Sequence, residues 1–233
     1  PHAPYSVEVD GYRRCVQVAR EQGTPLATHL AETRSEWDFL RDHSGPLRLL
    51  WERWLGWDEQ VPRFPGGPIA LARETGLLDL EAVLAHVNYN SDEELNWLAR
   101  GRASVVYCPR THEFFGHPEH RFREMLSRGI NVAVGTDSCA SSPDLNLVDD
   151  LRLLHRKYPE MPVETLWRMA TVNGAIALSC ANSAGTLAHG KVADIVAFPA
   201  EGKDPLRSVL ETAVIPSGVW VSGERFCWNP EIV

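Results

Sequence analysis

Apolar positions along the chain alternate between two spacings. Val9 to Gln22 places Tyr12, Val16 and Ala19 at helical intervals and stops at Gly23, a residue that readily closes a helix in the left-handed conformation. Leu26 to Ala31 follows as an apolar run of strand length. Thr33 and Glu36 then form a Thr-x-x-Glu capping box, which predicts that the next helix opens directly after Glu32 and that this glutamate sits in a tight strand-to-helix turn. The alternation repeats: a helix over Pro68 to Thr75 stopped by Gly76, a strand over Ala82 to Val87, and a helix capped by Ser91-x-x-Glu94 that ends before Gly101. Ala103 to Cys108 and Ile130 to Thr136 read as two further strands around a helical stretch at Glu119 to Arg128. Leu147 to Lys157 and Val163 to Leu178 read as helices.

Strands alternating with helices imply a parallel sheet and an α/β fold. Only four strands are countable, whereas a closed (β/α)8 barrel takes eight and typically about 250 residues. The expectation is therefore the C-terminal part of a TIM barrel over 1–184, roughly strands five to eight. A half-barrel would leave the edge of the Leu26 to Ala31 strand unpaired. The chain opens with Pro1-His2-Ala3-Pro4 rather than Met, which fits residues missing upstream. After Ala184 the pattern changes to short strands at Ala193 to Phe198, Ala213 to Ile215, Gly218 to Val221 and Glu224 to Cys227, with a hairpin turn at Ser222-Gly223. Residues 185–233 thus read as the C-terminal part of a small β-sandwich domain. Gly45 to Gly67, with Leu47, Leu50, Trp51 and Trp54 at helical spacing plus Trp57, lengthens one connection. It is expected either as a lid or pocket wall or, equally, as an insertion packed on the outer surface.

Composition narrows the partners. The chain has 233 residues, 44% of them hydrophobic, enough for a sizeable core. Its 23 basic against 31 acidic residues give a net charge of -8, which opposes a nucleic-acid or anionic-membrane surface and favours a small-molecule partner. Five cysteines, Cys15, Cys108, Cys139, Cys180 and Cys227, include no CxxC pair, so the expectation is reduced, mostly buried thiols in the cytoplasm. No apolar run approaches the roughly 20 residues of a membrane span.

Candidate chemistry lies at the ends of the strands. His29 with Glu32, His86, and Asp137 in Gly135-Thr136-Asp137-Ser138 each follow an apolar run, where a parallel barrel collects its catalytic groups. His112, His117 and His120 fall in a loop and are expected to be solvated.

The order His-x-x-Glu, strand-end His and Gly-Thr-Asp-Ser resembles the amidohydrolase superfamily, within it the cytosine, guanine, adenosylhomocysteine and methylthioadenosine deaminases and their chlorohydrolase relatives. The resemblance extends to Pro1-His2-Ala3-Pro4-Tyr5-Ser6, Val106-Tyr107-Cys108-Pro109, Asn173-Gly174-Ala175 and Gly185-Thr186-Leu187-x-x-Gly190-Lys191-x-Ala193-Asp194. It implies one divalent ion, zinc or iron, with His29 as a ligand from strand five and Asp137 as a ligand from strand eight. The remaining two ligands come, in that family, from a His-x-His pair that this sequence does not contain. Such an ion lowers the pKa of water from 15.7 to about 7, which supplies a nucleophile. Asp137 can then accept the water proton and His86 can hydrogen-bond the developing tetrahedral centre. Glu32 suits protonation of a ring nitrogen, and the resemblance makes His2 a substrate contact.

The expected function is hydrolytic deamination of an aromatic amine, an adenine-type nucleoside such as methylthioadenosine, adenosylhomocysteine or an aminodeoxyfutalosine-like compound, in an enzyme that is a homo-oligomer when complete. Phe114, Phe115, Trp51, Trp54 and Trp57 are candidate apolar walls. Removal of another group, as from a chloro- or alkylamino-triazine, and a metal-free fragment or pseudoenzyme remain alternatives. Arg110 to Pro118 departs from the Ser-Asn pattern that follows Cys-Pro in the adenosylhomocysteine deaminases, which leaves the substrate open.

Overall fold

The first helix α1, Val9–Gln22, ends where Gly23 turns left-handed (φ 64°) and delivers the chain into β1, Leu26–Leu30. This is a computed structural model, and it describes residues 1–226. The alternation then runs α2 (Arg34–Asp42), α3 (Gly45–Leu50) with a π-helical turn at Trp51–Leu55, α4 (Gly67–Glu74), β2 (Ala82–His86), α5 (Asp92–Arg100) and β3 (Ser104–Tyr107). It continues with α6 (Pro109–Phe114), α7 (Phe122–Ser127), β4 (Val132–Val134), α8 (Leu147–Lys157), α9 (Val163–Ala170) and α10 (Val172–Ala177). The four strands pair in parallel in the order β1-β2-β3-β4, with His29 opposite Ala85, Ala85 opposite Val106 and Tyr107 opposite Val134.

One face of this sheet is closed by helices. Leu26, Thr28 and Leu30 of β1 and Ala82 and Leu84 of β2 are buried there, and the Tyr12 hydroxyl of α1 meets Thr28 Oγ1 at 2.7 Å. The other face, carrying Ala27, His29, Val83, Ala85 and Val106, is exposed or only partly covered. The outer edge of β1 is met by the chain start: His29 N–H donates to the His2 carbonyl at 2.8 Å.

Beyond residue 184 lie β5 (Ile195–Ala197), α11 (Pro205–Glu211), β6 (Gly218–Val221) and β7 (Glu224–Phe226), with the three strands forming an antiparallel sheet in the order β5-β6-β7. Ala213 to Ile215 is not a strand. Arg152 of α8 donates to the backbone carbonyls of Val209 and Val214, while the side chains of Ala213 and Ile215 are exposed. The expected helix over Val163 to Leu178 is two helices, broken at Thr171 (φ -126°, ψ -87°). The last residue expected in β7, Cys227, lies outside the described residues.

The insertion at 45–67 packs through part of its length. Trp51 donates its indole N–H to the Tyr5 carbonyl at 2.8 Å, and Trp57 stacks edge-on against Phe39 and His43 beneath the Arg48 guanidinium. Leu49, Trp54 and Leu55 remain exposed. Thiols are less buried than the composition suggested: Cys108 is buried, Cys15 and Cys180 are partly covered, and Cys139 is exposed. Among the described residues, no helix is long and apolar enough to cross a membrane.

Candidate metal and catalytic site

Three strand ends converge. Strand alternation would send His86 to the helix-covered face with Ala82 and Leu84, but His86 (φ 72°) and Val87 (φ 53°) are both left-handed, and that rotation swings the His86 ring to within 5.2 Å of the His29 ring. Ala31 (φ 51°) and Asp137 (φ 59°) are left-handed as well. Such conformations cost of order 1–3 kcal/mol each in non-glycine residues and persist where surrounding contacts over-determine them. β3 and β4 approach closely just before Asp137: a Cβ on Gly135 would lie 2.7 Å from Val106 Cγ1. The glycine of Gly-Thr-Asp is therefore required by packing.

One ligand-capable atom from each of His29, His86 and Asp137 lies within 4.8 Å of the others. His86 is 2% exposed, and its Nε2 has no hydrogen-bond partner among the described residues. A buried imidazole nitrogen without a partner, facing a second imidazole and a carboxylate, suits a borderline-soft divalent ion such as zinc, whose catalytic sites take three protein ligands of these types and leave a position open. The residues present thus fit such an ion, with His29 and Asp137 as the expected ligands and the unpartnered His86 ring facing the same point.

Glu32 stands next to this group, with its Oε1 3.8 Å from His86 Nε2. Burial pushes its carboxyl pKa above the usual range, against the opposing pull of His29. Burial also lowers the pKa of His86 to about 4, keeping it a neutral ring that can donate and accept. Ser141 Oγ donates to Asp137 Oδ2 at 2.9 Å. His2 is exposed beside His29, with ring centroids 5.1 Å apart, and its Nδ1 meets Ser6 Oγ at 2.8 Å. All five sequence-expected residues, His2, His29, Glu32, His86 and Asp137, therefore fall in one neighbourhood.

Two supports were not visible in the sequence as such. Glu36 is fully buried and accepts from the N–H groups of Ala31 (3.1 Å) and Glu32 (2.9 Å), while Asn88 Nδ2 donates to the Glu32 carbonyl at 3.0 Å. The peptide groups on both sides of Glu32 are held. Glu36 had the signal of an ordinary cap, and Asn88 follows a candidate histidine by two residues.

The three histidines expected in a solvated loop differ: His112 lies in α6, and His112 and His120 are both buried. His112 is 3% exposed and His120 is 2% exposed, because Tyr107 presents its ring to both: His120 stacks on it at 4.0 Å and His112 packs edge-on at 5.4 Å. His117 is partly covered and bonds Tyr89. Phe114 lines a cavity of about 680 Å³ with Cys139, Ser141 and Arg156, Trp51 packs on Tyr5, and Trp57 packs on Phe39 and His43.

A parallel α/β sheet that gathers two imidazoles and two carboxylates at its strand ends defines a protein built around a candidate divalent-ion site. The chain belongs to the amidohydrolase family, whose profile matches residues 1–226. It is 32% identical over 203 residues to the 5-methylthioadenosine/S-adenosylhomocysteine deaminase of Moorella thermoacetica, covering 84% of this chain and 43% of that protein. The chain spans less than half the length of the curated relatives it matches. Its fold is also that of the Helicobacter pylori aminofutalosine deaminase in complex with methylthio-coformycin, at a TM-score of 0.81 and 23% identity, covering 97% of this chain and 56% of that one. The zinc complex of atrazine chlorohydrolase from Arthrobacter aurescens superimposes with a TM-score of 0.73 at 23% identity, over 94% of this chain and 47% of that one.

Proposed function

We propose that this chain carries the C-terminal part of a metal-dependent (β/α)8 amidohydrolase that deaminates an adenine-type nucleoside. The observation that carries the reading is the meeting of His29, His86 and Asp137 at adjacent strand ends with Glu32 beside them. The half-covered apolar face of β1, β2 and β3 supports the barrel, since it is the face an inner barrel wall would complete. Residues 1–184 then supply strands five to eight, and 185–233 supply part of a small β-sandwich domain. The name borne by the 32% identical relative supports deamination of 5-methylthioadenosine or S-adenosylhomocysteine.

In this reading His29 and Asp137 hold one divalent ion, zinc or iron, together with ligands from the rest of the barrel. When bound, the ion supplies Lewis acidity that turns water into a nucleophile at neutral pH. Asp137, its Oδ2 steadied by the Ser141 hydroxyl, would accept a proton from the attacking water. His86 donates a hydrogen bond to the oxygen of the tetrahedral centre. Glu32, whose carboxyl pKa is raised by burial, protonates the ring nitrogen, and the proton that Asp137 takes from the water passes to the departing amine. His2 contacts the substrate from the exposed side. We propose further that the complete enzyme works in the cytoplasm as a homo-oligomer.

The test is ammonia release by the full-length protein from 5-methylthioadenosine, S-adenosylhomocysteine, aminodeoxyfutalosine and a chlorotriazine, with metal analysis of a His29→Ala variant. Ammonia from an adenine compound, lost together with metal in the variant, is expected. Chloride from the triazine with no adenine compound reacting would transfer the site to the chlorohydrolase reading.

A further inference from the structure

His120 lies in none of the expected roles, and its surroundings give it one. Its Nε2 is 2.8 Å from the carbonyl oxygen of His86, and since a carbonyl only accepts, that nitrogen carries the hydrogen. The next peptide N–H, that of Val87, donates to the Leu30 carbonyl of the neighbouring strand at 2.9 Å. The peptide group between His86 and Val87 is therefore held at both ends, by a side chain on one side and by β1 on the other. It is also the group flanked by two left-handed residues, one of them the β-branched Val87, for which a positive φ is a rare conformation. The orientation of that peptide fixes the direction in which the His86 side chain leaves the backbone. His120 in turn has little freedom: it is 2% exposed and stacked on Tyr107 with the ring planes 14° apart.

We infer that His120 is a positioning residue that locks the His86–Val87 peptide in its left-handed turn, so that the His86 ring faces His29, Asp137 and Glu32. The inference rests on the proposed deaminase reading for its kinetic consequence, but the lock itself is a property of the backbone. Without the donor, the buried His86 carbonyl is unsatisfied and the strand can relax toward ordinary extended geometry, which returns the ring toward the helix-covered face. Displacement of a reacting group by about 1 Å costs on the order of 10²-fold in rate.

The test uses two substitutions in the full-length protein. His120→Phe keeps a ring against Tyr107 and removes the donor; His120→Gln restores an N–H at similar reach. Expected for His120→Phe are a kcat lower by about 10²-fold, KM and metal content near those of the parent, and faster hydrogen exchange of the Val87 amide. His120→Gln recovers kcat and exchange protection together. If His120→Phe does not fold, His120→Asn, whose shorter amide falls short of the carbonyl, takes its place. Unchanged kcat, unchanged Val87 exchange, or a glutamine variant as impaired as the phenylalanine one would overturn the inference. If the parent itself deaminates none of the nucleosides, the functional reading fails, while Val87 exchange still decides whether His120 holds the turn.

Discussion

The turns after β1 and β2 carry the same short motif and use it differently. At Ser91-x-x-Glu94 the box is complete: the Ser91 hydroxyl accepts from Glu94 N–H, and the Glu94 carboxylate accepts from Ser91 N–H at 2.6 Å. At Thr33-x-x-Glu36 only the first half forms, with Thr33 Oγ1 accepting from Glu36 N–H at 3.1 Å. The Glu36 carboxylate instead passes its own cap and takes the N–H groups of Ala31 and Glu32. One glutamate closes a helix; the other fixes the backbone of a candidate proton shuttle. Local sequence prescribes a capping glutamate in both places, and the left-handed Ala31 decides which donors it meets.

The largest difference between the turns is expected on removing the glutamates. Glu36→Ala strands two N–H groups beside the site, and each unsatisfied buried donor costs roughly 1–3 kcal/mol. It should lower both stability, by denaturant unfolding, and ammonia release, by about 10²-fold or more. Glu94→Ala should cost about 1 kcal/mol of stability and leave the rate near that of the parent. Equal kinetic losses in the two variants would break the distinction.

A second contrast is pH. Burial raises the Glu36 carboxyl from 4.5 to about 8, against the two N–H groups that favour its ionised form. Between those values the folded chain keeps a proton that the unfolded chain has released. The stabilisation is thus fully present below about 4.5 and is lost as pH rises through about 8. Unfolding free energy should fall with pH across this window, and Glu36→Gln, which cannot ionise, should flatten that slope. A slope unchanged in the glutamine variant would show that Glu36 does not titrate there. The smallest effect is expected for the caps themselves: Thr33→Ala and Ser91→Ala should each cost about 1 kcal/mol and differ little, because each removes one bond to a helix N–H.

The same comparison shows what was legible in the sequence. Apolar runs closed by Thr or Ser caps located the ends of β1 and β2 and, with them, His29, Glu32 and His86; the strand sets the face of His29, whereas the direction of His86 depends on the left-handed turn at its strand end. Asp137 followed from Gly-Thr-Asp at the end of β4. Glu36 and His120 were not legible as parts of the site, since their partners are backbone groups exposed by positive φ at Ala31, His86 and Val87, and no hydrophobic period records such a turn. The burial of His112 in α6 and of His120 beyond it is not legible in a polar stretch either, since Tyr107 of β3 packs against both rings. α11 is too short for its apolar spacing to mark it, although Asp204 and Pro205 signal its start: the Asp204 side chain accepts from Arg207 N–H at 3.0 Å. The apolar stretch after it has the composition of a strand but pairs with no strand among the described residues, and its Val214 carbonyl accepts from Arg152 instead.

The central claim is that Glu32 moves the proton while His29 and Asp137 hold the ion. The most direct measurement is metal content together with ammonia release from 5-methylthioadenosine for Glu32→Gln in the full-length protein. The amide keeps the shape and removes the proton, so the account predicts parental metal content and a rate lower by roughly 10² to 10⁴. A variant that keeps its metal and most of the parental rate would contradict it.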